Sequence, residues 1–122
     1  MKLLTHNMLE CHIRGVKDRY PFGIEAEAVE TVDVELNAGF LQHVFPKLKW
    51  FALRDAAQGL GVEGLPDHAS EEMLDDEDFL QKLHHALMEV HVMEGQLVCP
   101  ETGRKFPIKK GIPNLLLNED EC

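Results

Sequence analysis

The densest set of side chains able to do chemistry is His84, His85, Glu89 and His91. His85 and Glu89 stand four residues apart, so one face of a helix presents both, an imidazole and a carboxylate within reach of one metal ion. The order His-Glu-x-x-His, which seats a base between two ligands, is absent. One reading is a small metal-binding module or enzyme built on these residues. The other packs one histidine beside Leu83 and Leu87 and leaves its neighbour to solvent. Cys99 and Arg104 bracket a turn that invites comparison with a phosphate-binding cysteine loop. Such a loop wraps its anion in backbone N–H groups, and Pro100 has none to give. Structural zinc wants four ligands, commonly two Cys-x-x-Cys pairs. Cys11 and Cys99 each stand alone, with Thr102 where the second member of the Cys99 pair would fall. There is no phosphate-cradling glycine loop, nucleophile elbow or dinucleotide fingerprint. No catalytic and no cofactor-binding residue is assigned.

The bulk properties agree. The chain has 122 residues, 12 basic against 22 acidic, for a net charge of −10. A balance so acidic argues against direct nucleic-acid binding, which needs a basic face to displace counterions, and against anionic membrane surfaces. With 44% apolar residues, one domain with a real core is expected. The opening Leu3-Leu4 is too short for a secretory signal, and no run reaches the roughly 20 residues of a membrane span. Three cysteines, an odd count, and no Asn-x-Ser/Thr acceptor favour a reducing compartment, cytosol or nucleus.

The elements that would position these residues can be read from periodicity. Residues 1–4 read as a short strand. From Ile24 to Leu36 apolar and acidic residues alternate with period two, the pattern of a half-buried strand or strand pair. Asn37 reads as a helix N-cap, and the stripe Phe40, Leu41, Val44, Phe45 ends at Pro46. A second helix runs from about Trp50 to Gln58, stopped by Gly59 and Gly61, before a loop over 59–70. Asp75 or Asp76 caps a third helix whose face is Phe79, Leu80, Leu83, Leu87 and Val90. Then Val90–Met93, Glu94-Gly95 and Gln96–Val98 read as strand, turn, strand. A turn at 99–103, a strand over 105–108 and a turn at 109–111 lead to a last strand, 112–117. The acidic tail, 118–122, is expected to fray. Strand-rich ends around a helical middle make an α+β fold.

The segment Ile112-Pro113-Asn114-Leu115-Leu116-Leu117 is apolar on both parities, so one strand face cannot hide all of it in a small domain. It is either a fully buried core strand or an edge strand covered by a partner through sheet extension. Pro113 suits an edge, because proline cannot donate to a central ladder. Phe40 could extend the apolar patch.

These residues carry a family likeness. Met1-Lys2-Leu3-Leu4-Thr5-His6-Asn7-Met8-Leu9, Glu35-Leu36-Asn37 with Phe40-Leu41, the Phe79-Leu80 and Leu83-His84-His85 helix, and above all the run from Glu94-Gly95 through Leu97-Val98-Cys99-Pro100-Glu101-Thr102-Gly103-Arg104, Phe106-Pro107-Ile108 and Gly111 to Leu117 resemble the multifunctional methyltransferase subunit family. The resemblance implies a zinc-ribbon-like small β domain formed by both chain termini, residues 1–36 and 90–122, with a helical insertion over 37–89. It implies a non-catalytic activator that supports the solubility and cofactor binding of S-adenosylmethionine-dependent methyltransferases, the cofactor being held by the partner. Implied partners are tRNA methyltransferases, a small-subunit rRNA methyltransferase and the release-factor glutamine methyltransferase, each in a heterodimer, in cytoplasm and nucleus. By position, the partner-binding residues are Phe40, Ile108, Ile112, Pro113, Asn114, Leu115 and Leu116. Zinc-bearing relatives have two cysteine pairs. Here Cys11 and Cys99 match the first member of each, while Val16 and Thr102 hold the other places, so a metal-free domain is expected in which Cys11 and Cys99 are remnants.

Overall fold

The local signals that open helices act as their chemistry requires. In the computed structural model, which describes residues 1–117, Asn37 caps α2 (Ala38–Val44), its side-chain oxygen accepting the Phe40 N–H at 3.0 Å. A single 3-10 turn, Phe45–Lys47, ends that helix at Pro46. Helix α3 (Trp50–Gly59) runs to the expected glycine. Asp76 caps α4 (Glu77–His84) by accepting from Asp78 N–H, and α4 passes directly into one π-helical turn, His85–Glu89. The acidic tail expected to fray lies outside the described residues.

Among the described residues, four strands form one antiparallel sheet in the order β1-β2-β3-β4, with β1 Gly23–Thr31, β2 Val90–Val98, β3 Lys105–Lys109 and β4 Ile112–Pro113. The β3–β4 hairpin turns on Lys110 (φ +53°) and Gly111 (φ +78°). Two successive left-handed residues are the signature of a two-residue type I′ turn.

Four expectations are corrected. Residues 1–4 are not a strand. Only Lys2 bridges to His91, and Leu3–Met8 form a helix, α1. It buries Leu3, His6 and Asn7, one face at i, i+3, i+4. The first alternating segment is strand only to Thr31, because β2 begins opposite it at Val90 and, among the described residues, no strand pairs with Val32–Leu36. Glu94-Gly95 is no turn: β2 runs through it unbroken. Gly95 (φ +153°) lies where the Glu25 carbonyl oxygen and Ala26 Cα of β1 press so close that a Cβ would collide with them, beside a register shift between Ala26 and Ala28. Finally, the last strand is two residues long, not six. After Pro113 the Asn114 N–H still donates to Pro107 O (2.9 Å), and Leu116 N–H to the Asn114 side chain (3.0 Å).

Two buried clusters hold the molecule together. One, under the sheet, contains Met1, Cys11, Ile13, Val16, Phe22, Val92, Leu97, Cys99, Phe106 and Ile108. The other lies among the helices and contains Leu3, Leu41, Val44, Leu53, Ala57, Leu74, Phe79, Leu80, Leu83 and Leu87. Ile24 and Leu60 pack against both.

Candidate functional site

The β4 edge is the apolar surface least explained by the fold. The register pairs Lys109 with Ile112 and Ile108 with Pro113, leaving the outer side of β4 without a partner among the described residues. Exposure alternates along β4 and the residues after it. Ile112 (69% exposed), Asn114 and Leu116 (78% exposed) face outward, while Pro113, Leu115 and Leu117 are half-buried and the two leucines pack on the sheet cluster. A shallow groove lined by Met1, Lys2, Thr5, His91, Met93 and Ile112 borders the edge. Phe40 is exposed on α2, in the helical layer. Ile108 is 1% exposed, so it carries the edge from beneath and offers a partner no surface. Other exposed apolar residues were not singled out by sequence: Met8, Val29, Val32, Leu36 and Phe51. Only the parity of Val32 and Leu36 signalled them, and parity alone does not say which face is covered.

The histidine cluster proves to be a structural strut. His84 Nε2–H donates to Val34 O (2.6 Å), and Glu89 accepts both Val34 N–H (3.0 Å) and His85 Nδ1–H (3.0 Å). His91 turns its Nε2 to Met88 O (2.9 Å) and takes no part. The Val34 N–H, opposed by burial and aided by the two histidines, holds the Glu89 carboxyl below its usual range. Among the described residues no group of three or more His, Cys, Asp or Glu is placed to hold a metal ion, and His84, His85, Glu89 and His91 are not brought together as one ligand set.

The four positions of the implied zinc site do converge, but with the wrong donors. Cys11 and Cys99 are both buried in the apolar cluster under the sheet. Val16 is 4% exposed inside the same apolar cluster, and Thr102 gives its backbone N–H to Cys99 Sγ at 3.5 Å. Two thiols, a valine and a threonine do not make a tetrahedral zinc centre. A cleft between α3 and β1, walled by Phe22, Ile24, Ala52 and Leu60, offers little chemistry, since its carboxylate, Asp55, is ion-paired with Arg54 at 3.1 Å.

Comparison with known proteins accords with this picture. A family model described as Trm112p-like protein matches residues 2–111. The multifunctional methyltransferase subunit TRM112 homolog A of Arabidopsis thaliana is 52% identical over 123 residues, 99% of each chain. The TRM112-like protein of Mus musculus is 49% identical over 122 residues, covering 99% of this chain and 98% of its own. The Saccharomyces cerevisiae TRM112 is 32% identical, with 96% of both chains covered. A chain in the solved E. cuniculi Mtq2–Trm112 complex, responsible for methylation of the eRF1 termination factor, shares the fold with a TM-score of 0.59 at 20% identity, over 95% of each chain. With its sequence matched almost from end to end, the chain belongs to the Trm112p-like family.

Proposed function

We propose that this chain is a non-catalytic activator subunit of S-adenosylmethionine-dependent methyltransferases that act on tRNA, rRNA and a translation release factor. The observation that carries the reading is its full-length kinship, 52% identity, with chains named multifunctional methyltransferase subunits. The exposed Ile112 and Leu116 on an unpartnered sheet edge supply the means. An extended segment of the enzyme adds to β4, its apolar side chains cover Ile112 and Leu116, and Phe40 makes a separate contact from the helical layer. Binding only the folded enzyme then stabilises it by mass action and removes an aggregation surface. The subunit itself binds neither metal nor S-adenosylmethionine nor RNA, forms heterodimers with one methyltransferase at a time, and works in cytoplasm and nucleus.

The test is co-expression with a tRNA, a small-subunit rRNA and a release-factor glutamine methyltransferase, comparing the parent with Ile112→Asp/Leu116→Asp. Because both side chains are exposed, the double variant should keep the parent's circular dichroism while captured enzyme falls at least about tenfold, the consequence of losing roughly 1.4 kcal/mol or more of binding free energy. Undiminished capture by a folded variant would place the interface elsewhere. Leu115 is the poorer choice for this test, because it packs on the core.

A further inference from the structure

The sheet has a second edge, β1, and nothing in the reading above uses it. Residues 26–31 of β1 are all exposed, and no strand lies on their outer side among the described residues. The hydrogen bonds of the neighbouring strand show which backbone groups are spare. Val92 N–H donates to Met1 O (2.8 Å), and the Val92 carbonyl accepts from the Met1 amine (2.7 Å), so both turn away from β1. Val29, paired opposite Val92, therefore turns its own N–H and carbonyl outward. Val32 N–H donates inward to Glu89 O (2.9 Å), and the alternation of the ladder puts Thr31 outward as well. Residues 26–31 contain neither proline nor lysine, the residues that commonly close such an edge. Charge decides what fits there. Glu25, Glu27 and Glu30 stand along β1, Asp33 and Glu35 follow, and no basic residue lies between positions 23 and 36. A second copy would bring the same carboxylates within a chain of net charge −10, so pairing β1 with itself opposes like charges. A cationic strand is attracted instead, as Lys105 of β3 is to Glu25 at 3.0 Å. Glu27 and Glu30 have no ion-pair partner among the described residues.

We propose that the β1 edge takes a second protein partner, a Lys/Arg-rich extended segment that adds to the sheet beside residues 26–31. Its backbone bonds the outward amides and carbonyls of Val29 and Thr31, its cations meet Glu27 and Glu30, and Val29, 43% exposed, gives it an apolar contact. Because β1 and β4 are opposite edges of one sheet, this partner and one on β4 are held at the same time.

The test titrates the full, isotope-labelled chain with the peptide Thr-Lys-Val-Lys-Val-Lys-Thr. The control is the same sequence methylated at every backbone nitrogen, which keeps the charges and loses every donor. The expected result is saturable binding of the first peptide alone, with hydrogen exchange at the Val29 and Thr31 amides slowed at least about tenfold. Binding should weaken at least about tenfold in Glu27→Lys/Glu30→Lys, whose exposed substitutions leave the circular dichroism unchanged. Absence of saturable binding would overturn the proposal, as would equal binding of the methylated control, which would mean attraction between charges without strand addition. Protection confined to the β4 side of the sheet, or undiminished binding by the folded charge-reversed variant, would overturn it too.

Discussion

Lys110 is held at φ +53°, a left-handed conformation that costs a non-glycine residue roughly 1–2 kcal/mol. The type I′ turn it forms with Gly111 prefers asparagine there. Lys110→Asn should therefore raise stability by about 0.5–1 kcal/mol, read from urea denaturation with an unchanged slope. Gly95 is the opposite case. Any Cβ there meets the Glu25 carbonyl on the neighbouring strand, and backbone cannot step aside as a flexible side chain can. Gly95→Ala should cost about 2 kcal/mol or more, measured the same way. Both glycines look alike in sequence, each following a charged residue between apolar runs. Gly111 does mark a turn, whereas Gly95 marks a close approach from a strand far away in the chain, and nothing local distinguishes the two.

At the scale of elements, what was legible in the sequence was what local chemistry decides. Asn37 and Asp76 cap their helices because their own side chains satisfy the next amides, whereas apolar residues on both parities left 112–117 open between a core strand and an edge, with only Pro113 favouring the edge that β4 forms. The rest depended on distant partners. Helix α1 was hidden because two of the three residues on its buried face are polar: His6 Nε2–H reaches Phe22 O (2.8 Å), and Asn7 bonds both the N–H and the carbonyl of Lys49 (3.0 Å each). Residues 32–34 kept the strand pattern yet found no strand, and the π-helical turn supplies their bonds instead: Val32 N–H donates to Glu89 O at 2.9 Å, and Val34 N–H to the Glu89 carboxylate. That strut makes a pH prediction. A carboxylate whose folded pKa is depressed adds stability that is complete above its unfolded pKa and is lost as the pH falls through the lower, folded one. Glu89→Gln should thus be less stable than the parent by about 1–2 kcal/mol near neutrality. The gap should close in acid, where the parent's Glu89 is itself protonated. Urea titrations at both pH values decide this, and a gap that persists unchanged in acid would mean that the charge is irrelevant.

For the whole molecule, the decisive question is whether the sheet cluster and the helical cluster fold as one. The first residues tie them together over very few atoms. The Met1 amine donates to Val92 O (2.7 Å) and Val92 N–H to Met1 O (2.8 Å), so Met1 is seated in the sheet cluster. Two residues on, Leu3 is 0% exposed in the helical cluster. An edge meant to bind a partner needs a rigid mount, and β4 hangs on β3 with only two paired positions of its own. Coupling through α1 and Ile24 therefore determines how firmly the helices brace that edge. The lone tryptophan, Trp50, reports on the helical cluster, where it lies 5.9 Å from the Phe79 ring and donates to Pro66 O. Removing the Leu3 side chain opens a cavity there worth about 3 kcal/mol. In Leu3→Ala, Trp50 fluorescence and the far-ultraviolet circular dichroism of the whole chain should shift to lower urea together, as a single two-state transition. If fluorescence alone moved, leaving a later transition in the circular dichroism, the clusters would be independent units and the β4 edge would stand on the sheet alone.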